Sequence, residues 1–470
     1  MKVLLINPPT DNTIASVMPI ELEEGLDLLP PLGLMCLAAY LEKETSHEIT
    51  ILDCPAEGIG HERLKGEIQK ISPDVIGLTA MTFTLIDVVK VAKNAKQANP
   101  DVKIILGGPH VIIYPNETMN IPEIDFLVLG EGERTLKLLL DGIHDPRKLI
   151  GIKGIVFRDN NKIINTGPAD FVENIDSLPF PARHLVLYKK YFSVVSQKKP
   201  VTTMFTSRGC PYKCLFCNRP QYGKTFRMRS AKNVVKEMRL CQNMGIQEIL
   251  IYDDTFGADR NRILDICSEI KKVGLNIAWD IRTRVDTVDA DILRALKNAG
   301  CERIHYGVEA GTQKILNILR KGITLEQVEN AFALTKKAGI QTIAYFMIGS
   351  PLETKADVLE TVKLMKKLDP DYVHISVVTP FPATDLYRLA LEEGIIGDDV
   401  WQKFAEQPAP NFIPPIWEKE LNRAELFDLL KFAYRSFYLR PSYIYKKVLR
   451  VKSLSELIRK GRGALRLLKI

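Results

Sequence analysis

The sequence predicts an α/β protein in which two parallel sheets follow one another along the chain. The first observation is an alternation of short β-rich runs and helix-like segments over residues 1–150, which predicts a Rossmann-like parallel sheet covered by helices. The second is a longer alternation over residues 198–395, which predicts a partial (β/α)6 barrel. The third is the helical, basic pattern of residues 396–470, which predicts a helical C-terminal region.

The first sheet is predicted from five β-rich runs, namely KVLLINPP, EITILDC, VIGLTAM, VKIILGGP and DFLVLGEGE. Most of them end in residues that favour turns. Ligands of open parallel sheets bind beyond the carboxyl ends of the strands, so we expect these ends to line a site. Residues 151–197 interrupt the pattern with a predicted hairpin, GIVFRDNNKIINTG, and a proline-punctuated linker, SLPFPAR. We place the boundary between the two domains in this segment.

The barrel is predicted from six further β-rich runs, namely TTMFTS, EILIYDD, IAWDIRT, RIHYGVEA, TIAYFMIG and YVHISVVTP. Amphipathic segments lie between the runs, with N-caps expected at Ser230, Asp289 or Asp291, Thr324 and Thr354. Glycines are expected in the left-handed conformation just after the helices, at positions 245, 274, 300 and 339. In such barrels the chemistry lies at the carboxyl ends of the strands.

Composition and charge narrow the class of protein. Apolar residues make up 46% of the 470-residue chain and 26% are charged, which is typical of a globular protein. No apolar run is long enough for a membrane-spanning helix. Eight cysteines spread over a long chain without a recognisable signal peptide predict a reducing, cytoplasmic location. The net charge of the chain is +7, and its positive part lies in residues 434–470, which contain eleven Lys and Arg and one acidic residue. The rest of the chain therefore has a net charge of −3.

The strongest local signal is TSRGCPYKCLFCN, in which Cys210, Cys214 and Cys217 have the spacing C-x-x-x-C-x-x-C. Thiolates are the usual ligands of iron–sulfur clusters, and tight spacing lets one loop surround one face of a cluster. Three protein ligands on a four-iron cluster leave one iron open for another molecule. The alternatives are a structural zinc site with a distant fourth ligand and a C-x-x-C redox pair. Zinc sites usually pair two such motifs, and no second motif is present.

With its cysteine loop at the end of the first barrel strand, the chain resembles the radical S-adenosylmethionine (SAM) superfamily. The resemblance implies a [4Fe–4S] cluster whose open iron binds the amino and carboxylate groups of SAM, and reductive cleavage of SAM to a 5′-deoxyadenosyl radical. Phe216 corresponds to an aromatic residue near the SAM adenine. Later motifs, YDDTF, RTRVD, YGVEAG, FMIGSP and VVTPFPATDLY, follow in the expected order. They imply further SAM contacts at Asp253, Asp254, Arg284, Glu309, Gly349 and Pro351.

Two of these assignments have structural alternatives. One of Asp253 and Asp254 is expected to serve as a cap between strand and helix. Arg284 is expected either to pair with the SAM carboxylate or to form a salt bridge within the barrel.

The first domain resembles the cobalamin-binding domain that precedes the barrel in one radical SAM class, on the strings INPP, PPLGLMCLAAYL, GLTAMTFT, LGGPH and LGEGE. The cobalt-ligating motif D-x-H-x-x-G is absent, since the nearest string, DCPAEG, has Pro55 at the histidine position. His110 lies in a plausible ligand loop, although a surface histidine without a ligand role is the alternative. A degenerate domain that only supports the barrel is a competing hypothesis. The resemblance implies cobalamin contacts at Asn7, Pro8, Gly33, Thr79, Thr82, Gly107, Gly108, His110 and Glu131.

The function implied by these resemblances is a cobalamin-dependent radical SAM methyltransferase that acts on an unactivated carbon. The alternatives are a cyclase or rearrangement enzyme on the same scaffold, and a non-catalytic cofactor-binding protein with a structural metal. The expected partners are a small-molecule or lipid-like substrate and an external electron donor such as flavodoxin or ferredoxin. The basic tail suggests peripheral contact with an anionic membrane, or alternatively a helix packed on the barrel. Nucleic acid is a less favoured partner, because no additional RNA-binding domain is evident.

Overall fold

A computed structural model describes residues 1–14, 27–160, 162–196, 198–218 and 225–449. Within these residues the first sheet has seven strands in the order β2-β1-β3-β4-β5-β6-β7. The first five strands are parallel, and the hairpin formed by the last two extends the sheet antiparallel to β5. The strands are β1 (Lys2–Asn7), β2 (Glu48–Asp53), β3 (Val75–Thr79), β4 (Lys103–Gly107), β5 (Phe126–Val128), β6 (Ile155–Asp159) and β7 (Lys162–Asn165).

Helices cover both faces of this sheet, because its central strands are apolar on both sides. On one face Met35 and Leu139 pack against Val3 and Leu5, and on the other Val88 and Val91 pack against Leu4 and Ile6. The helices are α1 (Leu32–Glu44), α2 (Cys54–Glu57), α3 (His61–Ile71), α4 (Leu85–Ala98), α5 (Pro109–Ile113), α6 (Pro115–Met119), α7 (Gly132–Gly142) and α8 (Pro146–Leu149).

The second sheet has six parallel strands in chain order, which confirms the predicted partial barrel. Between its first two strands, a small antiparallel pair, β9 (Ser207–Arg208) and β10 (Arg227–Met228), brackets the cysteine loop. The six strands are β8 (Val201–Met204), β11 (Glu248–Ile251), β12 (Ala278–Thr283), β13 (Cys301–Glu309), β14 (Gln341–Ile348) and β15 (Tyr372–Val377).

The helices that connect the strands of the second sheet pack on the outer face of the barrel and begin where the sequence predicts. Ser230, Asp289, Thr324 and Thr354 each accept a backbone hydrogen bond as N-caps, and all four predicted glycines have positive φ. The helices are α9 (Ala231–Asn243), α10 (Arg260–Lys272), α11 (Ala290–Asn298), α12 (Gln313–Ile318), α13 (Leu325–Lys337), α14 (Lys355–Leu368), α15 (Asp385–Glu392), α16 (Val400–Glu406), α17 (Arg423–Tyr438) and α18 (Pro441–Leu449).

The outer edge of the barrel is covered by helix α17. The Tyr434 hydroxyl accepts from the Ile375 N–H and donates to the Ile375 carbonyl, both at 2.9 Å. The Tyr438 hydroxyl makes the same pair of bonds with Val373, at 3.0 and 2.9 Å. Two side chains thus satisfy the backbone groups that β15 would otherwise leave open at the sheet edge.

Gly311 permits close packing between the end of β13 and helix α14. A Cβ atom at Gly311 would lie 2.3 Å from Thr361 Cα and 2.6 Å from Thr361 N, which are backbone atoms that cannot rotate away. We therefore expect Gly311→Ala to lower the free energy of unfolding by about 2 kcal/mol or more. Gly66→Ala, in exposed α3 with nothing near its Cβ position, should instead raise it by about 1 kcal/mol. Urea denaturation of both variants measures the difference, and equal stabilities would contradict this account.

Candidate active site

The cysteine loop lies at the carboxyl end of β8. Cys210 and Cys214 are half-buried and Cys217 is exposed, and none of the eight cysteines forms a disulfide. Burial and the Asp254 carboxylate raise the pKa of the Cys210 thiol. The described residues contain no group of three or more His, Cys, Asp or Glu that converges on a single metal ion. The three thiolates of a [4Fe–4S] cluster each bind a different iron, so such ligands need not converge on one point.

Leu215, one of the two residues between the second and third cysteines, anchors the loop to two other parts of the barrel. The Leu215 N–H donates to the Leu319 carbonyl at 2.9 Å, and the Leu215 carbonyl accepts from the Leu386 N–H at 3.0 Å. Phe216 packs on the core beside these contacts. The loop is therefore fixed from the sides of β13 and β15 as well as by its own strand.

Asp253 and Asp254 have different environments. Asp253 is buried, and its two oxygens accept from the backbone N–H groups of Thr206 and Ser207 and from both their hydroxyls, at 2.5 to 3.0 Å. It thus ties β11 to the chain just before the cysteine loop. The predicted cap between strand and helix is wrong, because Asp259 is the residue that caps α10. Asp254 is exposed at the mouth of the barrel. Neighbouring protein atoms nevertheless remove part of the water around its carboxyl group, and this desolvation raises the pKa of Asp254, as does the adjacent Asp253 charge.

Arg284 forms the salt bridge that was one of its two predicted roles. Its guanidinium donates to both oxygens of Asp286, at 2.9 and 2.8 Å, and to the Lys321 carbonyl at 2.7 Å. It also lies 3.9 Å from the centre of the Tyr212 ring, within the cysteine loop. The guanidinium therefore holds the loop against the segment that follows α12.

Glu309 ends β13 in a left-handed conformation, with φ of +74°, at an irregularity in the pairing with β14. A non-glycine residue in this region is strained, and such strain often marks a functional site. The Glu309 carboxylate accepts from Lys321 Nζ at 2.6 Å, and this nitrogen lies 5.9 Å from the centre of the Phe216 ring. Lys321 was not predicted, because nothing near it in the sequence suggests a site.

The turn after β14 is built around a buried carboxylate that the sequence did not reveal. One oxygen of Glu353 accepts from the backbone N–H groups of Gly349 and Ser350, at 2.6 and 2.8 Å. Its other oxygen has no partner among the described residues, and burial raises the pKa of Glu353 to about 7. Gly349 has φ of +82°, and a Cβ there would meet Leu426 at 2.9 Å. The turn, with buried Pro351 beside it, is thus rigidly shaped.

The carboxyl edge of the first sheet brings together the residues predicted for cobalamin. These residues differ in burial. Gly33 is exposed and Pro8 is buried, and the half-buried ones are Asn7, Thr79, Thr82 and Gly107. Gly108 has φ of +97°, and a Cβ there would lie 2.7 Å from the Ala80 carbonyl oxygen. The apolar side chain of Met81 is 53% exposed at the same edge. An edge with close backbone approaches and exposed apolar surface fits a large flat cofactor.

His110 is fully buried, so the alternative of a surface histidine is wrong. Its Nδ1 lies 3.1 Å from the Thr82 hydroxyl oxygen, while its Nε2 has no partner among the described residues. Burial lowers the pKa of His110 to about 4, so the ring is neutral at pH 7. A buried unpartnered nitrogen near this edge is consistent with a bound group there.

The carboxylate of Glu131 points toward the barrel. Its oxygens accept from Arg227 at 2.6 and 3.1 Å and from the Val172 N–H at 2.7 Å, and lie 3.2 Å from Arg208. Arg208 also donates to Glu133 at the start of α7. Burial acts to raise the pKa of Glu131, but the hydrogen bonds from Arg227 and the charge on Arg208 outweigh it and lower that pKa. We call these four residues the interdomain ion-pair cluster.

An aromatic contact joins the same two edges at a second point. Phe83, just beyond β3, packs edge-on against Phe381 beyond β15, with ring centres 5.3 Å apart. Trp401 of α16 packs against both rings and donates to the Pro380 carbonyl at 3.0 Å. The edge of the first sheet and the carboxyl ends of the barrel strands therefore face each other.

The different surroundings of the two aspartates predict different effects on stability. Asp253→Asn places an amide donor among groups that already donate, so we expect a loss of about 2 kcal/mol or more in unfolding free energy. Asp254→Asn changes an exposed side chain and should alter stability by about 0.5 kcal/mol at most. Thermal unfolding of the two matched variants tests this, and equal melting temperatures would contradict the buried role of Asp253.

Two family models match the chain. The model of the radical SAM superfamily matches residues 204–365. The model of the B12 binding domain matches residues 25–140.

Among relatives, an uncharacterized methyltransferase of Pyrococcus horikoshii is 37% identical over 452 residues, which cover 95% of each chain. The anaerobic magnesium-protoporphyrin IX monomethyl ester cyclase of Rubrivivax gelatinosus is 28% identical over 424 residues, covering 88% of this chain and 75% of the relative. Among solved structures, the cobalamin-dependent S-adenosylmethionine radical enzyme OxsB, with aqua-cobalamin and S-adenosylmethionine bound, matches 99% of this chain and 72% of its own, with a TM-score of 0.75 at 18% identity.

The two family models and the relative that is 37% identical along nearly its whole length confirm the predicted family, fold class and cofactors. The chain belongs to the cobalamin-dependent radical SAM enzymes, whose cofactors are a [4Fe–4S] cluster, SAM and cobalamin.

Proposed function

We propose that this chain is a methyltransferase that transfers a methyl group to an unactivated carbon of a small-molecule substrate. The observation that carries the proposal is the interdomain ion-pair cluster, which links the end of β5 to Arg208, two residues before Cys210. The cluster loop and the cobalamin edge are thereby held against each other. A substrate between them is within reach of both cofactors, as radical methyl transfer requires.

The protein contributes binding, orientation and exclusion of water. We assign Cys210, Cys214 and Cys217 to the cluster, which when bound supplies the electron for SAM cleavage, while cobalamin supplies the methyl group. Exposed Asp254 is the candidate acceptor for the SAM ammonium. Glu309, the backbone of Gly349 and Pro351, and Phe216 shape the rest of the SAM site.

At the cobalamin edge we assign backbone contacts to Gly107 and Gly108 and a hydroxyl contact to Thr82. His110 supports Thr82 from below through its Nδ1. The paired carboxylate of Glu131 serves the domain interface rather than the corrin.

We further propose four functional regions along the chain. They are a cobalamin domain (residues 1–150), a linker (151–197), the radical SAM barrel (198–395) and a C-terminal region (396–470).

Substituting one cluster cysteine tests the central chemistry. Cys214→Ala should lose bound iron and all formation of 5′-deoxyadenosine from SAM and dithionite, because three thiolates are needed to hold the cluster. Cys267→Ala, in α10 on the outer face of the barrel, is the matched control and should keep both. Anaerobic reconstitution with cobalamin, followed by iron analysis and chromatography of the products, gives the measurement. Cleavage of SAM by the Cys214 variant would refute the assignment.

The reaction products distinguish methyl transfer from cyclisation. Cyclisation is the second candidate reaction because one relative of this chain is a cyclase. A methyltransferase of this class would consume two SAM molecules per methyl group transferred, one as the radical source and one as the methyl donor, and would release 5′-deoxyadenosine together with S-adenosylhomocysteine. A cyclase or rearrangement enzyme releases 5′-deoxyadenosine without stoichiometric S-adenosylhomocysteine. Turnover with deuterated methyl-SAM and no label in the product would contradict the methyltransferase.

The C-terminal helix supports a finer proposal, that a lipid-like substrate is met at an anionic membrane surface. Helix α18 packs on the barrel through buried Tyr443, as one of the two sequence hypotheses expected. Its other face exposes Ile444, Tyr445, Val448 and Leu449, between 46% and 67% accessible. Apolar residues of this kind beside basic ones favour the interface of anionic lipids.

Most of the basic tail, residues 450–470, lies outside the described residues. No helix within the described ranges is long and apolar enough to cross a membrane.

A flotation assay tests the membrane proposal. The triple variant Tyr445→Ser, Val448→Ser, Leu449→Ser should lose most of its flotation with phosphatidylglycerol vesicles, because its apolar contact is removed. Ile150→Ser, an equally exposed apolar residue of the first domain, should float like the wild type. Undiminished flotation of the triple variant, or no flotation of the wild-type protein, would contradict the proposal.

A further inference from the structure

The inner face of the barrel carries polar residues that no assigned role uses. Along β14 and β15 the residues facing the helices are buried, whereas Tyr345, Met347, His374 and Ser376 alternate with them and are half-buried. Strand residues two apart face the same side, so these four line the lumen. Six strands do not close a barrel of the usual eight, and the partial exposure of these four side chains shows that the described residues do not fill the lumen completely.

Four of the inner-face residues lie near one another, and we call them the lumen layer: Tyr252, Arg282, Tyr345 and His374. Tyr345 and His374 are register partners with ring centres 5.4 Å apart. Tyr252 and Arg282 lie two residues before Asp254 and Arg284 at the strand ends. Two residues of extended chain span about 7 Å, so a substrate that is held in the layer at one end still reaches the space between the two cofactors.

Arg282 supplies unused hydrogen-bond donors to the lumen. Its guanidinium carbon lies 3.7 Å from the centre of the Tyr252 ring, which fixes the side chain. Only Nη1 is engaged among the described residues, donating to the Ile251 carbonyl at 2.8 Å and to Asp280 at 3.4 Å. The side chain is 23% exposed, so Nε and Nη2 can donate to a bound molecule.

Tyr345 supplies an acceptor, because a buried relay fixes the direction of its hydroxyl. Asp280 Oδ2 lies 3.1 Å from His305 Nε2 and 2.9 Å from Arg303 Nη2. Burial opposes ionisation of Asp280, but His305 and the arginines outweigh it and lower its pKa. The His305 Nε2 therefore carries the proton that Asp280 accepts. Burial also lowers the pKa of His305, and a neutral ring presents a lone pair on Nδ1.

The Tyr345 hydroxyl, 2.9 Å from His305 Nδ1, consequently donates to the ring and turns only lone pairs toward the lumen. The surrounding charges nearly balance. Arg282 and Arg303 face Asp280 and Glu248, and Asp27, which accepts from the Val194 N–H, lies near Tyr252 and Tyr345. A further anion would be repelled by these carboxylates, whereas a neutral polar group meets donors and an acceptor without adding charge.

We propose that the lumen layer is the substrate-recognition site, and that it takes a neutral group in which a carbonyl oxygen stands next to an N–H or O–H. The carbonyl accepts from Arg282 and the N–H or O–H donates to Tyr345. A carboxamide and a hydroxy-carbonyl share this chemistry. The assignment rests on the proposed function, since it names the class of molecule on which the enzyme acts.

Two matched amides test the recognition site in the anaerobic holoenzyme by ligand-observed NMR. Benzamide offers both groups, whereas N,N-dimethylbenzamide keeps the carbonyl and lacks the N–H. Wild-type enzyme should bind benzamide about fivefold more tightly, which is the effect of one neutral hydrogen bond. Tyr345→Phe should remove this preference, and a preference caused by the bulk of the methyl groups would persist in that variant. Arg282→Met should weaken both amides about tenfold, whereas Arg294→Met, at an exposed arginine outside the barrel, should change neither.

Each other outcome contradicts the recognition site. These outcomes are equal binding of the two amides, a preference that survives Tyr345→Phe, Arg282→Met binding like the wild type, and no binding to the wild type at the solubility limit. Benzoate binding more tightly than benzamide would overturn the neutral group in favour of an anion. If the Arg282→Met variant loses its cofactors, the test rests on the Tyr345→Phe variant. This substitution removes one hydroxyl oxygen and keeps the aromatic ring. SAM cleavage is measured on the same wild-type sample, so failed amide recognition with intact cleavage leaves the radical SAM chemistry standing.

Discussion

The buried ion pairs between Glu131 and Glu133 of the first domain and Arg208 and Arg227 of the barrel fix the geometry of the whole molecule. Charges removed from water are costly unless paired, and removing one partner leaves an uncompensated charge at a cost of several kcal/mol. The pairs therefore tolerate little sliding between the domains. Arg208 is two residues from Cys210, so the position of the cysteine loop relative to the carboxyl edge of the first sheet follows from the same contacts.

Many acidic and basic side chains near the active site serve the protein itself. Asp253 ties two strands together, Arg284 holds the cysteine loop, and Glu353 shapes the turn after β14. Ligands are then left with backbone groups, a few strand-end side chains and the polar lumen. This division suits an enzyme that must hold reactive species without movement, because the side chains around them are fixed before any ligand binds.

Local features of the fold could be predicted from the sequence, and long-range pairings could not. Strand runs, N-caps such as Ser230 and Thr354, and the glycines after helices follow from rules that act within a few residues. The cysteine triplet is equally local. Glu131, however, meets Arg227 across 96 residues, and its position in a loop after a strand suggested a cofactor contact. The burial of His110 likewise depends on how the loops beyond β3 and β4 pack together.

The hydroxyls of Tyr434 and Tyr438 have a consequence for association between molecules. The rise over four helical residues, about 6 Å, nearly equals that over two residues of a strand, about 7 Å, so one helix face can match the hydrogen-bonding repeat of β15. The helix thus occupies the place of a seventh strand without being one. An approaching polypeptide finds no vacant amide or carbonyl at those two residues, which protects the protein from edge-to-edge aggregation despite its incomplete barrel.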